Sequence, residues 1–236
     1  MKNSEPALDP AYTFAIGDIH GCEAPLRRLL DACNSWGGNC QRRFVFLGDY
    51  IDRGPESAAV IGRLMSWQEK CPDQVVCLRG NHEDMLLLAQ HNSNAYMQWI
   101  LNGGLFTLRS FGVRTAEDIP KDVVSWLHCL PRSFDDGRRF YVHAGIDLML
   151  ALDQQLFDDL LWMREPFLTL ADSIDPGRLI VHGHTPTHTR RPDLRRYRLN
   201  LDTGAFMGGP LTAAVFSESQ TGPICFITDS GDVQVL

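Results

Sequence analysis

The sequence YTFAIGDIHG at residues 12–21 decides the fold, because a short apolar run is followed at once by a Gly-Asp turn. The same arrangement recurs in FVFLGDY at residues 44–50 and in VVCLRGNHE at residues 75–83. Apolar runs that end in such turns predict buried strands over 12–16, 44–47 and 75–78. The turns are about 30 residues apart, which is the length of one strand-helix-strand unit in a parallel sheet.

Helices are predicted between these strands. Leu26, Leu29, Leu30 and Cys33 recur at the spacing of one helical face, and residues 60–65 repeat the pattern. Residues 85–130 favour a helical cap. Strand-like runs follow at 140–142, 179–181, 197–201, 211–216, 224–227 and 233–236. Because long helical spacers are missing there, we expect antiparallel pairing in this half. The predicted class is α/β with a βαβαβ core.

The composition is that of an ordinary globular protein. The chain has 236 residues, of which 44% are hydrophobic and 22% charged, and we expect a single domain over 1–236. The net charge of −7 disfavours broad nucleic-acid binding. Seven cysteines without a Cys-x-x-Cys pair indicate reduced thiols. No apolar run suits a membrane helix, and residues 1–10 lack the apolar core of a secretion signal, so we expect a cytoplasmic protein without membrane contact.

Residues that commonly bind metals follow five of the predicted strands. In α/β sheets such residues converge on one edge. Six oxygen or imidazole ligands are too many for one ion beside a substrate, but they suit two ions that share a carboxylate. The expected ligands are Asp18, His20, Asp49, Asn81, His143 and His184. His182 competes with His184, because two residues apart on a strand point the same way.

Taken in order and at their spacing, GDIHG at 17–21, GDYIDRG at 48–54 and GNHE at 80–83 resemble the phosphoprotein phosphatases of the calcineurin-like metallophosphoesterase superfamily. The motifs HAG at 143–145, LWMR at 161–164 and GHTP at 183–186 extend this resemblance over residues 14–211. LNLDTG at 199–204 is similar to the shorter bacterial members. The resemblance implies a sandwich with two metal ions at its edge and hydrolysis of phosphate monoesters. It implies that Asp18, His20 and Asp49 hold one ion, and Asp49, Asn81, His143 and His184 the other.

The resemblance also implies a mechanism. A hydroxide between two divalent ions attacks phosphorus directly, and His82 donates a proton to the leaving alkoxide. Asp52 accepts the other ring N–H of His82 and favours its charged form. Arg53 and Arg164 bind phosphate oxygens. Mn²⁺ is the expected metal, with Fe or Zn²⁺ as alternatives, since Asp, Asn and His suit all three.

Two substrate classes compete within this family. One is phosphoserine or phosphothreonine in proteins, and the other is a dinucleoside tetraphosphate cleaved symmetrically. Tetraphosphatases commonly have Ala at the position of Asp52 and Asp at that of Glu83, so the motifs favour a serine/threonine protein phosphatase acting on a phosphoprotein or phosphopeptide. The arginine-rich run at 190–198 is interpreted as a solvated hairpin, with binding of an anionic part of the substrate as the alternative. The sequence leaves the oligomeric state open.

Overall fold

A computed structural model describes residues 11–37 and 40–236. Residues 1–10, where the sequence predicts no secretion signal, lie outside the described residues. The described strands are β1 (Tyr12–Ile16), β2 (Arg42–Phe46), β3 (Val75–Cys77), β4 (Ser133–Asp135), β5 (Arg139–Val142), β6 (Leu179–His182), β7 (Asp193–Leu194), β8 (Arg198–Asn200), β9 (Thr212–Ser217), β10 (Cys225–Thr228) and β11 (Val233–Val235).

The described helices are α1 (Glu23–Gly37), α2 (Ser57–Lys70), α3 (Asn81–Ala89), α4 (Ser93–Trp99), α5 (Leu105–Phe111), α6 (Lys121–Cys129), α7 (Phe157–Trp162) and α8 (Phe167–Leu170). A π-helical turn at Ile100–Gly104 joins α4 to α5. Helices α3 to α6 follow β3 and form the predicted helical cap. None of the helices in the described ranges is long and apolar enough to cross a membrane. All seven cysteines are free thiols, as the sequence predicts.

The strands form two sheets. The first sheet has the order β11-β10-β9-β1-β2-β3. Its strands β1, β2 and β3 are parallel and are connected by α1 and α2, so they form the predicted βαβαβ core. The second has the order β4-β5-β6-β8-β7. Alternating side chains pack the sheets together: Ala15 of β1 joins Val45 and Val181 between the sheets, whereas Phe14 and Ile16 face the helices.

Helices also cover the outer face of the second sheet, where Ile180 packs with Phe167 of α8 and Leu160 of α7. The molecule is therefore an α/β protein built as a β-sandwich flanked by helices on both sides. This architecture confirms the predicted fold class. It also places the carboxyl ends of the parallel strands from both sheets at a common edge.

The pairing predicted for the C-terminal half is partly wrong. Strands β9, β10 and β11 are antiparallel as expected, but β5, β6 and β8 run parallel. Helices α7 and α8 connect β5 to β6, and residues 183–197 are long enough for a second crossover. The arginine run does form a hairpin, since β7 pairs with β8. Arg190, Arg191, Arg195 and Arg196 are exposed there, whereas Arg198 is buried.

Candidate dimetal active site

The six predicted ligands come from both sheets rather than from the edge of one. Asp18 and His20 follow β1, Asp49 follows β2, and Asn81 begins α3 just after β3. His143 follows β5, and His184 lies two residues beyond the end of β6. All six are buried. The structure therefore brings them together where the parallel strands of the two sheets end.

The carboxylate of Asp49 lies between two groups of donors. Its Oδ2 is 3.3 Å from His20 Nε2, and its Oδ1 is 3.4 Å from His143 Nε2. Asn81 Oδ1 lies 2.8 Å from His143 Nε2 and 3.0 Å from His184 Nδ1. Each oxygen of Asp49 thus faces a different set of donors, which is the arrangement that a carboxylate shared by two ions requires.

Backbone carbonyls orient two of these imidazoles. His20 Nδ1 donates to Ile51 O at 2.8 Å, and His143 Nδ1 donates to Leu47 O at 2.8 Å. This tautomer leaves each Nε2 lone pair directed towards Asp49. Burial lowers the pKa of both His20 and His143, so both rings are neutral at neutral pH. Neutral imidazole is the form that binds metals, and these donors fit two divalent cations.

Glu83 holds the loop that carries Asp49. Its carboxylate accepts backbone N–H groups from Asp49 and Tyr50 at 2.8 Å each and from Gly80 at 2.9 Å. Asp49 has a φ of 53°, a left-handed conformation that such external bonds stabilise. Burial alone would raise the pKa of the Asp49 carboxyl, but the surrounding histidines lower it far below its usual range. From the sequence, Glu83 serves only to distinguish protein phosphatases from tetraphosphatases, which commonly have Asp at this position.

Two glycines allow the carboxylates to approach the backbone closely. A Cβ atom at Gly183 would lie 2.1 Å from Asp18 Oδ1, and one at Gly80 would lie 2.2 Å from Asp49 Oδ1. The Asp18 carboxylate also accepts the backbone N–H of His184 at 3.1 Å. Only glycine fits at these two positions, which explains why the turn motifs contain it.

His82 and Asp52 form a buried pair at the same edge. His82 Nδ1 donates to Asp52 Oδ2 at 2.7 Å. Asp52 Oδ2 also accepts the indole N–H of Trp99 at 2.9 Å, and Oδ1 accepts the Thr107 hydroxyl at 2.6 Å. Burial alone would lower the pKa of His82, but the carboxylates of Asp49 and Asp52 raise it. The charged imidazolium is therefore favoured.

Distance alone does not separate His82 from the ligands. Its Nε2 lies 3.9 Å from Asp49 Oδ2, and donor atoms of His20, Asp49 and His82 fall within 4.8 Å of one another. Asp49, His143 and His184 form a second such group. A histidine must be neutral to bind a metal, so the bond to Asp52 and the raised pKa of His82 favour a proton donor instead.

Trp99 and Thr107 are functional neighbours that sequence reasoning missed. From the sequence, the position of Trp99 on a predicted helical face indicates a core side chain, as it does for Trp67 and Trp126. Trp99 is fully buried, but its N–H is committed to Asp52. Trp99 ends α4 and Thr107 lies in α5, so the contact depends on how the cap folds over the β2 loop. No local pattern signals such a contact.

Arg53 lies beside the same edge. Its Nη1 is 2.9 Å from His20 Nε2, and its Cζ lies 4.7 Å from the centre of the Phe206 ring. The Phe206 ring in turn packs edge-on against the His20 ring at 4.9 Å. An aromatic face against a guanidinium restrains its orientation, so Phe206 positions Arg53. Sequence reasoning missed Phe206, because it has no motif of its own.

A family model described as calcineurin-like phosphoesterase matches residues 13–209. The chain belongs to the calcineurin-like phosphoesterase family. Serine/threonine-protein phosphatase 1 of Salmonella typhimurium is 32% identical over 212 residues, which are 86% of this chain and 91% of that protein. This membership confirms the resemblance seen in the motifs and shows that the chain is a metallophosphoesterase, a hydrolase.

Other relatives of this phosphoesterase carry different names. The symmetrical bis(5'-nucleosyl)-tetraphosphatase of Bordetella pertussis is 37% identical over 133 residues, which are 56% of this chain and 43% of that protein. A crystal structure of a cold-active protein tyrosine phosphatase superposes with a TM-score of 0.70 and 18% identity, over 96% of this chain and 79% of that one. The structural likeness supports the fold alone.

Arg164 is the one predicted phosphate-binding residue of the phosphoesterase that is exposed. It follows α7, whose Trp162 has its ring centre 6.0 Å from that of His184. The stretch 161–164 therefore borders the metal-ligand edge. Arg164 also contributes to a lowered pKa of His184, behind the larger effects of burial and of His143. Its contact with phosphate stays a prediction.

The expectation that His182 points the same way as His184 is wrong. Strand β6 ends at His182, and His184 adopts a φ of 68°, so strand alternation does not extend to it. The His182 ring packs against Phe167 with centres 5.1 Å apart, on the outer face of the second sheet. Of the two histidines, His184 is the one that the fold brings to Asn81.

A pair of substitutions tests this placement. His184→Ala is expected to lower the metal content of the phosphoesterase, because it removes a donor beside Asn81. His182→Ala is expected to leave metal content intact and to lower the melting temperature, because it opens a cavity against Phe167. Elemental analysis and thermal unfolding measure the two effects. Metal loss in His182→Ala with none in His184→Ala would reverse the assignment.

Proposed function

We propose that this phosphoesterase is a metal-dependent serine/threonine protein phosphatase that hydrolyses phosphate monoesters. The buried pair of His82 and Asp52 carries the proposal. A serine or threonine alkoxide is a poor leaving group and needs a proton in the transition state. Asp52, which Trp99 and Thr107 hold in place, keeps His82 oriented and charged for that donation.

The ligand set supports two cation sites. In the proposed assignment, Asp18, His20 and Asp49 hold one ion, and Asp49, Asn81, His143 and His184 hold the other. When bound, the two cations neutralise phosphoryl charge and lower the pKa of the attacking water. Mn²⁺ is the expected metal, and Fe and Zn²⁺ are the alternatives that metal analysis would reveal, because the same N and O donors accept all three.

The side chains around these sites have separate proposed roles. Arg53 binds two phosphate oxygens through its guanidinium, with Phe206 restraining its orientation. Arg164 provides a second guanidinium from the rim. His82 donates its proton from Nε2 to the leaving oxygen, while Nδ1 stays bonded to Asp52. Positioning and charge neutralisation are the main demands of phosphoryl transfer, and these residues meet both.

A phosphoprotein or phosphopeptide is the proposed partner. We place the enzyme in the cytoplasm on the strength of its seven free cysteines, since exported proteins of oxidising compartments commonly pair theirs.

The alternative is a symmetrical bis(5'-nucleosyl)-tetraphosphatase, which the similarity to the tetraphosphatase of that name favours. A nucleoside polyphosphate leaves readily without a proton, so such an enzyme does not need an aspartate behind its histidine. The presence of Asp52, bound by three side chains, supports the protein phosphatase over this alternative.

Substrate preference tests the proposal. We expect kcat/KM of the manganese-loaded enzyme to be higher for a phosphothreonyl peptide than for diadenosine tetraphosphate. Asp52→Ala should narrow that ratio, because only the alkoxide depends on the proton that Asp52 helps to supply. A phosphotyrosyl peptide, whose phenolate leaves more readily, serves as the intermediate case. A tenfold preference for the dinucleotide, about 1.4 kcal/mol in the wrong direction, would favour the tetraphosphatase.

A further inference from the structure

The π-helical turn of the cap packs against the backbone of Arg53. A Cβ atom at Gly103 would lie 2.8 Å from Arg53 N and 3.1 Å from Arg53 Cγ. Gly103 adopts a φ of 109°, a conformation that residues with a side chain rarely take. Both the available space and the backbone conformation therefore require glycine at this position. Short π-helical turns are frequent at functional sites, and this one meets a proposed phosphate-binding residue.

The Arg53 backbone has a conformation that its surroundings must maintain. Its φ is 66° and that of Asp52 is 70°, so two successive residues with side chains are left-handed. Such conformations cost free energy and persist only where neighbouring groups impose them. The Asp52 N–H donates to Ser57 Oγ at 3.1 Å and to Thr107 Oγ1 at 2.9 Å, which fixes the first of the two residues. The close contact with Gly103 restricts the second.

The loop that carries Arg53 has no room to move away from the cap. On its other side, a Cβ atom at Gly54 would overlap His20 O, and one at Gly21 would lie 2.7 Å from Gly54 O. The loop is therefore packed between the π-helical turn and the turn that carries His20. A side chain at Gly103 would press on a segment that cannot retreat as a whole.

The cap is fixed as well. Trp99 and Thr107, which flank the π-helical turn, both donate to the Asp52 carboxylate. A Cβ atom at Gly104 would lie 2.5 Å from Trp99 Cδ2, so the turn packs directly on the indole ring. The Arg53 side chain is only half-buried by comparison. Of the groups in contact here, Arg53 is the one that would be displaced by a side chain at position 103.

We infer that Gly103 is a positioning residue for phosphate binding: the absence of a side chain lets the π-helical turn hold Arg53 where its guanidinium meets the phosphate. This inference rests on the role of Arg53 under the proposed function. The cap then acts on the site in two ways. Trp99 and Thr107 orient Asp52 and so support proton donation, whereas Gly103 orients Arg53 and so supports phosphate binding.

Gly103→Ala tests this role in the manganese-loaded enzyme. We expect the affinity for inorganic phosphate, measured by equilibrium dialysis, to fall by roughly tenfold. We expect kcat/KM for nitrophenyl phosphate to fall by roughly 10–10²-fold, because a misplacement of about 1 Å can have an effect of that size. A phosphothreonyl peptide should lose activity by the same factor, since the pair of His82 and Asp52 is unchanged. Metal content, measured by elemental analysis, should equal that of the wild type.

Gly112→Ala is the matched control. Gly112 also has a positive φ, of 68°, but no atom of the described residues lies within 4 Å of a Cβ built there. Both substitutions strain the backbone and should lower the melting temperature, but only Gly103→Ala should weaken phosphate binding. Gly103→Asn replaces Gly103→Ala should the latter fail to fold, because asparagine tolerates a positive φ better and still carries a Cβ atom.

A double-mutant cycle with Arg53→Ala shows whether Gly103 acts through Arg53. In the Arg53→Ala background, Gly103→Ala should cause little further loss of phosphate affinity. Fully additive losses, or equal phosphate affinity in Gly103→Ala and Gly112→Ala, would overturn the inference. Metal loss in Gly103→Ala would also overturn it, because that result indicates displacement of the His20 turn. A loss confined to the phosphothreonyl peptide would do the same, because it indicates displacement of Asp52.

The same measurements separate this inference from the proposed function. Wild-type phosphate affinity in Arg53→Ala would overturn the inference together with the proposed role of Arg53. A preference of the wild type for diadenosine tetraphosphate would contradict only the protein substrate, because phosphate binding by Arg53 and its dependence on Gly103 are measured without either substrate.

Discussion

Asp49→Asn is expected to lower the metal content and to lower hydrolysis of an aryl phosphate by roughly 10²–10³-fold or more, at least the effect of losing one donor that stabilises a transition-state charge. The two oxygens of Asp49 face His20 and His143 separately. An amide offers one oxygen and one NH₂ group, so it cannot serve both sides. Elemental analysis and a nitrophenyl phosphate assay with added Mn²⁺ measure the two losses.

The fold itself should survive this substitution. Asp49 Oδ1 accepts the backbone N–H of His82 at 3.0 Å, a bond that an amide oxygen can keep. Glu83 bonds to the backbone of residue 49, which does not change. Thermal unfolding in the presence of a chelator should therefore give similar melting temperatures for variant and wild type.

Asp202→Asn is the matched control. Asp202 is a buried carboxylate beside Asp18, and its Oδ1 accepts the N–H of Gly204 at 3.1 Å. It lies outside the proposed ligand set, so its variant should retain metal. Equal metal loss in both variants would show that the set is incomplete, and full metal content in Asp49→Asn would contradict the shared carboxylate.

The βαβαβ core and the positions of the ligands could be predicted from the sequence, because both depend on local signals. An apolar run followed by Gly-Asp marks a strand end, and strand ends of parallel sheets converge. The left-handed φ values of Asp49, Asp52 and His184 could not be predicted, since propensity favours glycine there. The tertiary bonds of Glu83 and Thr107 impose such values, and these bonds join distant segments.

Other features depend on packing between elements that lie far apart in the sequence. The parallel pairing of β5, β6 and β8 was missed because their connections contain short helices and loops rather than the long amphipathic helices of the first sheet. The role of Trp99 depends on the cap meeting the β2 loop, and that of Phe206 on a short turn after β8 meeting Arg53. Periodicity reports that a side chain is buried, and does not report which polar group it meets.

His82→Asn should separate proton donation from metal binding. We expect the variant to keep its metals while turnover of an alkyl phosphate falls by roughly 10²–10⁴-fold, the usual contribution of a general acid. The reason is that asparagine cannot supply a proton to the leaving alkoxide. Metal content and single-turnover hydrolysis of a phosphothreonyl peptide are the measurements.

The loss should depend on the leaving group. Nitrophenolate departs with little need for a proton, so the same variant should lose much less activity on nitrophenyl phosphate than on the phosphothreonyl peptide. Asp52→Asn should show the same leaving-group dependence, with a smaller loss. An amide oxygen at the position of Oδ1 can still accept from Thr107 at 2.6 Å and from Trp99 at 3.1 Å, while the charge that favours protonated His82 is gone. His91→Asn, at an exposed histidine, should leave both substrates unaffected.

The decisive comparison is between metal content and leaving-group dependence in the same His82→Asn sample. His82 Nε2 lies close enough to Asp49 and His20 for a ligand role, so distance cannot settle the matter. If His82 is a metal ligand, His82→Asn lowers the metal content and reduces hydrolysis of both esters equally. If His82 is the general acid, the metal content is unchanged and hydrolysis of the alkyl ester falls more than that of the aryl ester. The raised pKa of His82, caused by Asp49 and Asp52 against the effect of burial, predicts the second result. A loss of metal together with equal decreases in hydrolysis of the two esters would instead make His82 a seventh ligand.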